Sequence, residues 1–392
     1  MKLLKVGIKL LKIFWSAKKF LHNPTPKSIV IFDSSTTKDF SQPLLKDMDY
    51  SEINCPNYSE TKNDGNPLRK INSIYISPKV IFLMLLETIK GNFKISYYLA
   101  LIKIINPKIV LTFVDFDFTF SKISKVLDKK HRFISIQSSH RLLFGYPEKS
   151  LKKLYLSEYL SFGKFYIDHL NSLNVEVKSY DLVGSLSLAT AENSMRANKQ
   201  FNINQNLKEK YVCVVAGSMP LSSKVFNKET LKQLSERQIK LWNYVNKFSK
   251  EEKILFKLAS RYSEDQNIAG NEERAKNEIE LFNKIQGGNK YFIKVPRFKK
   301  KFSNYDLIFN SILNIGFHST MLLESLAKKK KILCVSILDS YSNETLDPLM
   351  PEDNISSMQN FSYEKFSNRV KLLLDMSQED YNLIMEKKRE YM

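Results

Sequence analysis

Gly316-Phe317-His318-Ser319-Thr320-Met321-Leu322-Leu323-Glu324-Ser325-Leu326-Ala327, then four lysines and Ile332-Leu333-Cys334-Val335, is the stretch that decides how this chain folds. Small and hydroxyl residues stand where a strand should give way to a helix, and a short apolar strand follows. The segment therefore reads as part of a βαβ unit. The free N–H groups and the positive dipole end of such a helix favour an anion at its first turn. A simpler assignment fits the same letters: Ser319 or Thr320 caps the helix and Glu324 is an acid in the turns that follow.

The same alternation runs through most of the chain. Ser28-Ile29-Val30-Ile31-Phe32-Asp33 reads as a buried strand, and residues 38–69 as a polar stretch with the turn-rich Asn63-Asp64-Gly65-Asn66-Pro67. A short strand at 74–76, helices at 80–89 and 95–105, and a buried strand at 109–114 follow, the last ending in Asp115-Phe116-Asp117. A helix at 120–127, strands at 133–137 and 159–162, a helix at 164–173 and a strand at 180–183 complete a first half. Polar residues 190–208 mark a boundary. The pattern resumes with Tyr211-Val212-Cys213-Val214-Val215-Ala216-Gly217-Ser218, a helix at 228–248, a strand at 254–258 leading to Arg261, a helix at 272–286, and strands at 291–295 and 311–315. The expectation is an α/β protein with two Rossmann-like domains facing a cleft, spanning 24–190 and 191–362, with closing helices at 363–392.

Residues 1–23 read differently. At 100° per residue, Lys2, Lys5, Lys9, Lys12 and Lys19 gather in one stripe, while Leu3, Leu4, Leu10, Leu11, Ile13, Phe14 and Trp15 fill the remaining arc. Lys18 breaks the pattern. So many charges argue against a spanning helix, and no uninterrupted apolar run or small-residue cleavage site suggests a secretory signal. An amphipathic helix lying on the anionic inner face of a membrane fits, with Trp15 at the interface. A basic helix packed on its own domain fits as well.

Composition sets the outer limits. The 392 residues suffice for two domains, and 43% hydrophobic with 12% aromatic residues is globular rather than disordered. Cys55, Cys213 and Cys334 lie far apart, which suggests neither a disulfide framework nor a zinc site and fits a reducing cytoplasm. The net charge of +20, from 61 Lys+Arg against 41 Asp+Glu, attracts polyanions in general. Walker A, GxGxxG, zinc and Gly-x-Ser-x-Gly patterns are absent, and aromatics do not alternate with basic residues as they do in nucleic-acid binders.

Several strand ends carry chemistry. Gly217-Ser218 forms a small-residue turn whose N–H groups can approach a phosphate. Arg261 can clamp a phosphate or carboxylate bidentately, or make a surface salt bridge. Asp115 and Asp117 match the letters of a DxD metal motif, but that motif belongs to a different fold; a helix N-cap near Phe120 and a general base are the other assignments. Gln137, His140 and Arg141 supply donors after the next strand, and His140 is a second candidate base.

The segment 316–327 resembles the donor-binding motif of GT-B glycosyltransferases and of the related UDP-GlcNAc 2-epimerase and CDP-glycerol glycerophosphotransferase families. Gln137-Ser138-Ser139-His140-Arg141 is similar to a Gln-x-Gly-x-Arg segment of bacterial surface-carbohydrate transferases, with Ser139 replacing the glycine. The resemblance implies a GT-B fold in which Gly217, Ser218, Arg261, Gly316, His318, Ser319 and Thr320 meet the donor phosphates and Glu324 meets the ribose. It implies Asp115, or else His140, as the base, and Asp117, Gln137 and Arg141 as sugar or acceptor contacts. Neither metal nor cofactor is expected. The implied reaction moves a sugar from a UDP-, GDP-, CDP- or CMP-linked donor to a glycan or lipid-linked acceptor in surface polysaccharide or lipopolysaccharide assembly. A peripheral site on the inner face of the cell membrane is expected, with no nucleic-acid partner. A CDP-glycerol-type glycerophosphotransferase, a transferase using a CMP-linked acidic sugar, and a non-catalytic basic protein binding nucleic acid or membrane are the alternatives.

Overall fold

A computed structural model describes residues 18–32, 45, 47–53, 73–88, 93–137, 154–197, 210–217, 228–262, 271–297, 302–317, 319–336, 355–359 and 362–391. His140, Arg141, Ser218 and His318 lie outside the described residues. The chain divides into two compact units, with the division between Ser187 and Leu188.

The first unit contains β1 (Lys18–Phe20), β2 (Ile29–Phe32), β3 (Tyr50–Ile53), β4 (Ser73–Tyr75), α1 (Pro78–Thr88), α2 (Phe93–Ile105) and β5 (Ile109–Thr112). It continues with α3 (Phe118–Leu127), β6 (Arg132–Ile136), β7 (Tyr155–Ser161), α4 (Lys164–Ser172) and β8 (Glu176–Leu182). Six of these strands form one sheet in the order β3-β2-β5-β6-β7-β8, with every pairing parallel. The central strands are apolar runs because helices cover them: Val30, Phe32, Val110 and Phe133 are buried with Leu99, Ile102, Phe120 and Ile123 from α2 and α3.

Two expectations fail here. Lys18–Phe20, the described end of the segment expected to be helical, is a strand paired parallel with β4. The Phe20 and His22 rings pack against Tyr75. Residues 1–17 of that segment lie outside the described residues. The supposed polar stretch 38–69 also supplies β3, where Ile53 is buried and each residue finds a ladder partner on β2.

α5 (Leu186–Ala197) begins two residues before the division, and the second unit goes on with β9 (Tyr211–Val215), α6 (Lys228–Glu252), β10 (Leu255–Ala259), α7 (Asn271–Gln286), β11 (Phe292–Val295) and α8 (Ser303–Asn310). Then come β12 (Leu313–Gly316), α9 (Thr320–Ala327), β13 (Ile332–Ser336), β14 (Ser357–Gln359), α10 (Tyr363–Asp375) and α11 (Gln378–Tyr391). The sheet order is β11-β10-β9-β12-β13-β14, again with every pairing parallel. α5 occupies part of the expected polar boundary, because Ala191 and Met195 sit four residues apart on one buried face. Tyr381 of α11 is fully buried, and its hydroxyl accepts the Ile332 N–H at 3.1 Å. Lys331 donates to the carbonyls of Leu373 and Met376, which neutralises the C-terminal end of α10.

Candidate functional site

Strand order locates the candidate site of the second unit. Successive strands β9, β10 and β11 run outward in one direction, and β12, β13 and β14 in the other, so the order reverses between β9 and β12. Ligands in open parallel sheets sit at the carboxyl ends flanking such a reversal. Gly217 follows β9, and Ser319 and Thr320 follow β12.

Space is tight at both glycines here, against backbone at Gly316 and against side chains at Gly217. A Cβ on Gly316 would lie 3.0 Å from the Val215 carbonyl oxygen, and one on Gly217 would lie 2.8 Å from Gln238 Oε1 and 3.0 Å from the Phe317 ring. The Gly217 N–H is already held, donating to Gln238 Oε1 at 3.1 Å. Gln238 is 1% exposed, and its Nε2 has no partner among the described residues.

Ser319 is the N-cap of α9, its hydroxyl accepting the Met321 N–H at 3.3 Å. Glu324 points from α9 into the protein, where it is 2% exposed, and it accepts a hydrogen bond from Tyr305 Oη at 3.0 Å. Tyr305 belongs to α8, which begins after Phe302 in the left-handed region. In the first turn of α8, Asn304 donates to the Ser260 carbonyl at 2.8 Å and leaves a buried Oδ1 without a partner among the described residues.

Two arginines stand at the ends of neighbouring strands. Arg261 follows β10; its backbone N–H donates to the buried Glu278 at 3.2 Å, and its carbonyl accepts from the Arg297 guanidinium. Arg297 follows β11 and is half-buried. Burial, with the positive charge of Arg261 beside it, holds Arg297 below the usual arginine range, while Tyr305 and Glu278 pull the other way. Burial likewise pushes the Glu278 carboxyl up. Two cations are thus brought together at one sheet edge with a capped helix N-terminus on the same edge, an arrangement suited to phosphate oxygens.

In the first unit the order reverses between β2 and β5, and Asp115 and Asp117 follow β5. Asp115 is 1% exposed, and Tyr159 Oη donates to it at 3.2 Å. Asp117 caps α3, accepting the N–H groups of Thr119 at 2.6 Å and Phe120 at 2.9 Å. Gln137 is buried and accepts from the Phe162 N–H at 2.8 Å and Ser161 Oγ at 3.3 Å, which ties β6 to the end of β7. Among the described residues no three His, Cys, Asp or Glu side chains cluster as metal ligands would.

Neither a family model nor a curated protein matches the sequence. Solved structures match throughout. A putative UDP-N-acetylglucosamine 2-epimerase from Listeria monocytogenes aligns with a TM-score of 0.54 at 12% identity, over 94% of this chain and 92% of that one. MnaA of S. aureus, solved with UDP, gives 0.52 at 12% identity over 95% and 92%. A Neisseria meningitidis UDP-GlcNAc 2-epimerase bound to UDP-GlcNAc gives 0.51 at 11% identity over 93% and 94%. The chain has the GT-B fold.

On this GT-B frame, Gly217, Arg261, Gly316, Ser319, Thr320 and Glu324 all fall at or beside the carboxyl edge of one sheet. Asp115, Asp117 and Gln137 fall at the corresponding edge of the other. Four further residues of the second GT-B unit were not singled out from sequence: Gln238, Glu278, Arg297 and Tyr305. Arg297 carries the same signal as Arg261, a cation just past an apolar strand. Tyr305 sits on a short helix that lacks a capping side chain to announce it.

Proposed function

We propose that the chain is a metal-independent glycosyltransferase that draws its sugar from a nucleotide-sugar donor held by the second unit. The observation that carries this is the hydrogen bond from the Arg297 guanidinium to the Arg261 carbonyl, which sets two arginines past neighbouring strands at the edge where α9 presents its N-terminus. Acceptor oxygen attacks the anomeric carbon, the bond to the nucleotide phosphate breaks, and the bonding pair leaves with that phosphate. The two guanidiniums and the helix N-terminus offset the charge that develops there. The acceptor proton passes to Asp115 or, as second candidate, His140. Glu324 takes the ribose hydroxyls by exchanging its contact with Tyr305.

The acceptor is a lipid-linked glycan met at the inner face of the membrane, and the lysine-striped segment before β1 supports that placement. No helix among the described residues is long and apolar enough to cross a membrane.

Thermal-shift measurements with UDP, GDP, CDP and CMP test the reading. A cognate nucleotide at 100 times its dissociation constant stabilises the fold by about 2.7 kcal/mol. Arg261→Ala and Arg297→Ala should each weaken it by about 1.5–3 kcal/mol, the range for hydrogen bonds to charged groups. Incubating the cognate nucleotide sugar with and without a glycan acceptor then separates transfer from epimerisation. Tight, salt-sensitive DNA binding with no nucleotide shift would sink the enzyme reading altogether.

A further inference from the structure

Glu278 is a carboxyl buried where an amide would serve its contacts as well. It lies on α7 and is 1% exposed. Four residues on, Phe282 meets the Phe292 ring of β11 edge-on, with centroids 4.9 Å apart. One turn back toward the start of the helix, Glu278 reaches the end of β10 and accepts the Arg261 N–H at 3.2 Å. The Ser260 hydroxyl, which donates to the Val295 carbonyl at 3.1 Å, is its other polar neighbour. A glutamine oxygen accepts from the same groups and avoids the cost of taking a charge out of water. What the carboxyl adds is a charge that can be present or absent.

The surroundings of that charge are cationic. Burial opposes it, while Lys294 of β11 and Arg261 favour it. The Arg297 guanidinium donates to the Arg261 carbonyl, which sets two like charges close together. Burial and Arg261 both act against the charge of Arg297, and Tyr305 of α8 and Glu278 support it. On its other side α7 packs against α6 through the rings of Phe282 and Trp242. A phosphate seated on Arg261 and Arg297 would supply the negative charge that Glu278 supplies without it. Two anions then share one cation pair, which favours a proton on the carboxyl, the one of the two able to take it.

We infer that Glu278 is the counter-charge of the Arg261–Arg297 pair in the unliganded protein and takes up one proton from solvent when a nucleotide phosphate binds there. This rests on the nucleotide site of the proposed function and makes Glu278 a positioning residue, acting through the arginines and not on the ligand. The proton comes from the buffer and forms an O–H bond on the Glu278 carboxyl. Linkage fixes the sign. Affinity is highest below the pKa of Glu278 in the free protein. It falls as pH rises toward the pKa in the complex, by at most about tenfold per pH unit, and is level above that.

Isothermal titration calorimetry of the full chain from pH 4 to 8, at constant ionic strength, tests this with UDP-GlcNAc, GDP-mannose, CDP-glycerol and CMP-N-acetylneuraminate. Each probe carries its phosphates as diesters, which stay ionised throughout. A probe that binds should do so with proton uptake, read from heats in buffers of different ionisation enthalpy, and with a Kd that rises with pH. Glu278→Gln should abolish both, and at pH 8 should hold the affinity that the wild type reaches only at low pH. If that variant does not fold, Glu278→Asp decides. In protein labelled with 13C-glutamate, the protonated-carboxyl infrared band that appears on binding should carry the label in the wild type and lose it in Glu278→Asp. Proton uptake that survives Glu278→Gln belongs to another group and overturns the inference, as does a wild-type Kd that is level across the range. Weaker binding by Glu278→Gln at every pH, with the wild-type slope retained, leaves the residue a purely structural role and overturns it too. No binding of any of the four probes at any pH overturns the nucleotide site itself, and the inference with it.

Discussion

Glu278 shows how a single buried acid reports on the arginine pair. Its carboxyl is raised from the usual value of 4.5, mainly by burial, while the Arg261 N–H, Lys294 and Arg261 itself pull it down. The folded state therefore holds this proton more tightly than the unfolded chain does. Its contribution is present below the unfolded value and is lost as pH rises through the folded one. Glu278→Gln should accordingly gain melting temperature relative to the wild type as pH goes from 4 to 7. A difference that stays flat across that range would show that the arginines, not burial, set the charge of Glu278. Cys213 gives a chemical counterpart: it is fully buried, its thiol pushed up to about 12, and Cys334 is also buried. Neither should be alkylated by iodoacetamide at pH 8 in the native protein, as read by peptide mass spectrometry, and both should react once it is unfolded. At this scale the sequence was legible where a residue's position along a strand determines its setting. Arg261 and Ser319 were found that way. Where a side chain turns was legible only in part: a helix cap was among the assignments open to Asp115 and Asp117, and Asp117 takes it, whereas nothing in the letters says that Glu324 faces Tyr305.

The elements divide along similar lines. Strands such as β5, β6, β9 and β12 announce themselves because covered parallel strands are apolar on both faces. β3 and β14 lie at sheet edges, where one neighbour suffices and polar residues such as Glu52 and Gln359 are tolerated, so composition hides them. The β9–β12 reversal depends on close packing that can be probed directly. Gly316→Ala would force a methyl to 3.0 Å from the Val215 carbonyl. Overpacking of that kind costs about 1–3 kcal/mol, measurable as a loss in denaturant midpoint at constant slope. Ser319→Ala should cost about 1 kcal/mol through the lost cap. On the proposed function it should also weaken nucleotide binding, and Ser319→Asp should restore the stability but not the binding, since it places a second negative charge beside the phosphate.

For the molecule as a whole, the fold was legible because periodicity alone reports two runs of alternating strand and helix, each long enough for a sheet. The order of strands within each sheet was not, since pairing is settled by contacts far apart in sequence. The two sheets differ in how early they can be finished. All six strands of the first are present by Leu182, whereas β13 of the second draws on Tyr381 for a hydrogen bond and buries Lys331 against the end of α10. During synthesis the first unit can thus gain its stability while the second is still emerging from the ribosome. Chains arrested once residue 200 has left the ribosome should already yield a protease-resistant first unit. Chains arrested before Tyr381 should leave the second susceptible, so an early stop codon near α11 would produce a half-folded translation product rather than a merely shortened protein.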